Sequence, residues 1–218
     1  MDYSTLKAKH RSLRDSFPSD LSLRIHRSLS WLQKAELSND DPDAHFIFLW
    51  IAFNAAYAAD VDELYRTTER GMFESFFDLL VAQDHTNQLY DLVWSQFSST
   101  IRSLLNNQFI FQPFWDYQNG RIDEAHWESM FRQSKARATQ GLTRQDTGQV
   151  ISIVFRRIYT LRNQIVHGGA TWQSSVNRQQ VRDCKALLSK TVPIILDLMM
   201  DNPHEAWGEP FYPVITDI

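Results

Sequence analysis

A single cysteine, Cys184, stands among 218 residues, so the chain forms no internal disulfide and holds no cysteine-cluster metal site. Seven glycines and seven prolines are too few for a loop-rich or disordered chain. The most apolar run, Phe46 to Ala59, is too short for a bilayer and carries Asn54 in its middle. The opening MDYSTLKAKHRSLRD has no apolar segment behind its charges, so no secretory leader is expected. With the lone thiol, this fits a reducing, cytoplasmic setting. There is no phosphate-cradling glycine loop, no His-Glu-x-x-His zinc helix and no Gly-x-Ser-x-Gly elbow. His45, His85, His126 and His204 lack ligand spacing and His26 is isolated, so neither a metal nor a cofactor is expected. Alternating Val/Ile/Thr runs and hairpin turns are also missing, which excludes a sheet.

What is present is helical periodicity in a chain that is 43% hydrophobic and 13% aromatic, enough for one sizeable core or two small ones. The expected fold is all-α, a multi-helix bundle forming one domain over 1–218, with an N-terminal arm at 1–18 and a C-terminal tail at 202–218. Ser19 or Asp20 caps a helix to about Leu37 with Ile25, Leu29 and Leu32 on one side. Ser38 to Asp43 is a turn, and Asp43 is expected to cap a helix over about 44–67. That helix is apolar nearly all round through Tyr57, which makes it central and Asn54 a buried polar group in need of a partner. Amphipathic helices are expected over 69–83 and 86–107, and another from Asp123 until Gln140-Gly141 breaks it. Phe109, Phe111, Phe114, Trp115 and Tyr117 crowd around Pro113 as an inserted aromatic segment. It is either an RNA-stacking platform or, more commonly for such a run, a hydrophobic lid or a covered inter-helix surface. A last helix spans about 176–201, with Pro193 inside it.

The stretch Ile151 to Gly169, ISIVFRRIYTLRNQIVHGG, organises the rest. Ile151, Val154, Ile158, Leu161 and Ile165 recur at steps of three and four, and Gly168-Gly169 supplies the stop for a helix running from about Gln145 to His167. On a wheel of about 100° per residue, Arg162 falls in the apolar arc near Ile158 and Phe155. An arginine there needs a carboxylate, a phosphate or a partner surface. Asn163 and His167, four apart, share a neighbouring face, whereas Arg162 and His167 lie roughly 140° apart. One straight helix would not aim both at one atom. A long arginine side chain, fraying at the glycines or a second copy of the helix would bring them together.

Arg162-Asn163-x-x-x-His167 followed by Gly-Gly, with the upstream run Phe48-Leu49-Trp50-Ile51-Ala52-Phe53-Asn54-Ala55-Ala56-Tyr57, resembles the HEPN superfamily over roughly residues 20–200. That superfamily consists of small α-helical domains carrying Arg-x(4–6)-His. The resemblance implies a metal-independent endoribonuclease that works as a homodimer through the Arg162–His167 helix region, with RNA as substrate. Arg162 and His167 would be catalytic and Asn163 supportive. It also implies a toxin or phage-defence setting, with an antitoxin or nucleotidyltransferase as partner. The alternative it allows is a non-catalytic module for dimerisation or for binding a nucleotide or a partner protein.

The chemistry suits the residues. Histidine moves protons near neutrality, and arginine grips two phosphate oxygens against the charge that builds in the transition state. From Phe131 to Lys185, ten basic residues face two acidic ones, a net +8 in a chain of −4, which leaves −12 elsewhere. This segment either attracts a polyanion or carries solvated faces paired with acids. Arg156 and Arg157 within it, and Tyr159 one turn before Asn163, are the candidates to hold RNA. As purely structural groups, Arg162 would answer an internal acid and His167 the negative end of the helix dipole.

Overall fold

The computed structural model describes residues 1–58, 69–210 and 212, and the regular elements among them are helices. The chain is an all-α, multi-helix bundle. Its described residues divide into two compact units, Met1–Thr68 with Cys184–Ile218, and Glu69–Asp183. The first holds α1 (Tyr3–Leu13), α2 (Ser19–Glu36) and α3 (Pro42–Tyr57). The second holds α4 (Glu69–Gln83), α5 (Gln88–Asp91), α6 (Ser98–Asn106), α7 (Gln112–Gln118), α8 (Glu124–Arg144) and α9 (Thr147–Val166). The last helix, α10 (Arg178–Asp201), begins in the second unit and ends in the first, passing through Pro193. Among the described residues no helix is long and apolar enough to cross a membrane.

In the first unit α2 packs on α3 through Leu21, Ile25, Leu29 and Leu32 on one side and Phe46, Leu49, Trp50 and Phe53 on the other, all buried. The cap of α3 is Asp41, not Asp43: its carboxylate accepts from the N–H groups of Asp43 and Ala44, and Pro42 takes the first helical position. Asn54 corrects a second expectation, because it is exposed while Phe53 and Ala56 beside it are buried. The helix is apolar on most faces but buried on one side, and Asn54 lies on the other. The expected continuation of this helix over 59–67 lies outside the described residues.

The N-terminal arm at 1–18 carries the helix α1 and packs on its own unit. Leu6 and His10 of α1 are buried, and Lys9 bridges Asp197 and Asp201 at 2.6 Å each. Arg24, only 1% exposed, donates to the carbonyls of Ala56 (2.6 Å), Gly208 (2.7 Å) and Trp207. It thus ties the end of α3 to the start of the tail, where the Trp207 indole is buried and donates to Asn202 O. Burial brings the Arg24 guanidinium down to about 10.

In the second unit α4 lies on α9, with Phe77 and Phe155 rings 4.6 Å apart. The helix expected over 86–107 is interrupted. The Asp84 carboxylate starts α5 by accepting from Gln88 and Leu89 N–H, a wide turn occupies Leu92–Gln96, and Phe97 leaves helical geometry before α6. Asp123 caps α8 as expected, but Gly141 does not break it. A Cβ on Gly141 would meet Val150 Cγ2 at 3.0 Å, so this glycine serves the close approach of α8 to α9. The helix ends instead at Gln145, whose φ is +54°.

Two buried histidines set an acid limit on the first unit. Among the described residues neither His10 ring nitrogen has a hydrogen-bond partner, while His45 meets Ser189 Oγ at 3.5 Å through Nε2 alone. Burial first, then Lys7 and neighbouring cations for His10 and Lys185 for His45, depress both from 6.5 to about 4. Between those values the unfolded chain binds the protons that the folded one refuses, so stability falls as pH drops from 6.5 towards 4 and is restored above. Thermal melts across that window should show this fall, with a shallower slope in His10→Phe; parallel slopes would remove histidine burial as the cause.

Candidate functional site at the end of helix α9

From Thr147 to Leu161 α9 is buried on nearly every face, and burial ends at Arg162. Asp146 caps its start by accepting from Gln149 N–H. Its end is a two-bond glycine closure. Gly168, at φ +72°, donates to Ile165 O at 3.1 Å, and Gly169 donates to Gln164 O at 2.6 Å. A Cβ on Gly169 would sit 2.9 Å from that same Gln164 oxygen, so both glycines are needed for the turn. His167 is the capping residue and is exposed.

Three of the predicted residues come together. Arg162 Nη1 donates to Asn163 Oδ1 at 2.8 Å, and the Arg162 guanidinium lies 5.9 Å from the centre of the Tyr159 ring. Tyr159 is in turn held edge-on by Phe73 at 6.4 Å. Arg162 is half-buried rather than fully sunk in the apolar arc, and among the described residues no carboxylate pairs with it. His167 joins this group only through the backbone, its N–H donating to Asn163 O at 2.9 Å. Among the described residues no hydrogen bond reaches its ring from Arg162 or Asn163.

The arginine that does occupy the buried interior of this unit is Arg157, which corrects its assignment to RNA. It is 3% exposed, donates to Ser134 Oγ at 3.0 Å and Leu105 O at 3.4 Å, and stands 4.3 Å from the centre of the Phe111 ring. Burial, with a smaller push from Arg156, lowers it to about 9. A side chain so enclosed offers nothing to a phosphate in solvent. Arg156 is half-buried beside it. The basic segment therefore does not form one continuous face: Arg137 answers Glu74 at 3.1 Å, and Arg132 answers Glu128 at 3.5 Å.

The aromatic segment is mostly a covered surface. Phe114 and Tyr117 pack on Trp127 of α8, and Phe111 packs on Phe131. Phe109 is the exception at 48% exposed. Its carbonyl accepts from Gln164 Nε2 at 2.6 Å, while Gln164 Oε1 accepts from Asn177 Nδ2 at 3.2 Å. Gln164 thus ties the motif to the aromatic segment and to the loop before α10. Nothing in its sequence context distinguishes it from an ordinary surface glutamine.

No family model, curated protein or solved structure matches the chain.

The division between a buried and a surface arginine can be measured. Arg157→Ala should lower stability by about 2–4 kcal/mol, from lost packing and unsatisfied partners. Arg162→Ala should stay within about 1 kcal/mol of the parent. Denaturant melts of the two variants check this, and equal losses would contradict the placement.

Proposed function

We propose that the chain is a metal-independent endoribonuclease of the HEPN type, in which Arg162 and His167 act on an RNA phosphodiester and Asn163 positions them. The observation that carries this reading is the state of Arg162. It reaches the surface at the point where α9 leaves the core, spends one N–H on Asn163 and meets no carboxylate among the described residues. The structural arginines Arg24 and Arg157 spend their guanidinium groups on several buried partners at once; Arg162, with one such bond, keeps donors for a phosphate. His167 stands exposed one turn further on, where a substrate can reach its ring.

In this reading a base removes the proton of the ribose 2′-hydroxyl, whose oxygen bonds to phosphorus as the bond to the 5′-oxygen breaks. An acid protonates the departing oxygen, leaving a cyclic phosphate and a free 5′-hydroxyl. His167 serves as one of these groups, and Arg162 opposes the negative charge on the phosphoryl oxygens. The angular separation of Arg162 and His167 favours a homodimer in which the two chains contribute to one cleft. The segment around the motif leaves Val166, Trp172 and Val176 at 53%, 70% and 79% exposure, which suits such an apposition.

That apolar exposure also supports the second reading, a non-catalytic module that binds a protein partner or a nucleotide through the same end of α9. An RNA-cleavage assay in EDTA, with oligomeric state measured on every sample, separates them. Chelator-resistant cleavage should fall by about 10²–10⁴ in His167→Ala and be lost comparably in Arg162→Ala, while all three proteins remain dimers. A folded dimer that cleaves none of a varied set of RNAs would favour the interaction module.

A further inference from the structure

The C-terminal half of α6 and the short turn after it, Gln108–Ile110, border an open cavity of 590 Å³ that no part of the proposed chemistry uses. Phe109, half-exposed, forms one wall, and Gln180 of α10 another. Arg102 stands at its edge, exposed, with no carboxylate partner among the described residues. Arg102 and Asn106 also line a second cavity of 390 Å³ against Thr139 and Thr143 of α8. The two cavities therefore share a wall and follow one another along α6.

The amides on this wall are arranged unequally. Asn107 Oδ1 is used by the N–H of Phe109 at 2.9 Å, which leaves its NH₂ as a donor. Asn106 Nδ2 is used by Arg102 O at 2.9 Å, which leaves its carbonyl as an acceptor. The Gln180 amide makes no hydrogen bond among the described residues, so it offers both. A donor, an acceptor, an exposed aromatic face and an unpaired cation around one open cavity match a nucleotide: base edge, base face and phosphate. An apolar peptide would find few apolar contacts there.

We propose that this cavity is a subsite for one nucleotide of single-stranded RNA, with the base stacked on Phe109 and read by the Asn106, Asn107 and Gln180 amides, and the adjoining phosphate at Arg102. The subsite rests on the ribonuclease reading for its purpose. It connects to the motif by two bonds already described, Gln164 to the Phe109 carbonyl and Asn177 to Gln164, with Gln180 one turn along α10 from the Asn177 loop. Because Phe109 binds Gln164 through its main-chain oxygen, replacing the ring leaves that link intact.

The test measures binding of labelled oligouridylate and oligoadenylate to the full chain carrying His167→Ala, in EDTA, as salt is varied. Phe109→Ala should weaken binding between about fivefold and a hundredfold, and Phe109→Trp should restore it. Arg102→Ala should weaken binding and lower the slope of log affinity against log salt by about 0.7. Arg102 is exposed and outside the core, so its arm does not depend on how Phe109→Ala folds. Parent-like affinity in Arg102→Ala and Gln180→Ala, or no binding of either RNA, would overturn the subsite. Cleavage that needs His167 but ignores Phe109 and Arg102 would leave the nuclease standing and the subsite refuted. Binding that needs Phe109 and Arg102 without chelator-resistant cleavage would leave the subsite standing alone.

Discussion

The second unit depends on the burial of α9. From Val150 to Leu161 almost every side chain of this helix is enclosed, against α4 on one side and α8, with the close approach at Gly141, on another. Enclosure of that extent fixes both the axial position and the rotation of the helix, because a shift of one residue would carry a whole apolar set out of its packing. The last turn then projects from a rigid base. Arg162, Asn163 and His167 need no loop to hold them, since they extend a core helix past the limit of its core. The glycine closure that follows satisfies the terminal carbonyls of Gln164 and Ile165, so the exposed end does not require a partner chain to stay folded.

Among the described residues each unit carries one buried arginine, and the two solve the same problem. Arg24 satisfies carbonyls at the end of α3 and the beginning of the tail, where no regular hydrogen bond is on offer. Arg157 does this for Leu105 near the end of α6, and adds Ser134 and the face of Phe111. Hydrogen bonds from a charged donor contribute about 1.5–3 kcal/mol each, against a desolvation cost of several kcal/mol, so both groups must make several contacts at once. The aromatic rings around Arg157 supply what a carboxylate would supply elsewhere, at lower cost in buried negative charge. These arginines hold irregular chain against helices, which is a structural task.

Helix existence was legible because it rests on apolar spacing: α2, α4, α9 and α10 fall within a few residues of where their periodicity places them. What could not be read was which polar residue a helix turns inward. The wheel put Arg162 in the apolar arc, yet Arg157 is buried and Arg162 is not. Once a helix is enclosed on nearly all sides, angle around the axis no longer separates inside from outside, and position along the axis decides. Asn54 shows the converse, since an all-round apolar composition hid the fact that α3 buries one side. Gly141 and Phe97 mark another limit. A glycine within a helix serves either as a stop or as a close approach, and only the neighbour, Val150 here, tells which. The Gln164 link joins residues 55 apart in sequence, and no local pattern announces it.

The Arg162–Asn163 bond constrains how any chemistry at this end of α9 can work. In the free chain the Asn163 carbonyl occupies one guanidinium nitrogen, and no hydrogen bond among the described residues orients the His167 ring. A phosphate arriving at Arg162 competes with a neutral amide, which it should displace readily, because a charge-assisted bond is roughly twice as strong. The displaced Asn163 side chain is then released next to the residue that shares its face four positions on, His167. Substrate binding at Arg162 and orientation of His167 would thereby be joined through one amide. A second chain would be needed only to complete the angle that a single helix does not provide. Under the proposed nuclease reading such an arrangement would tie proton transfer to the presence of a phosphate, with no movement larger than one rotamer change.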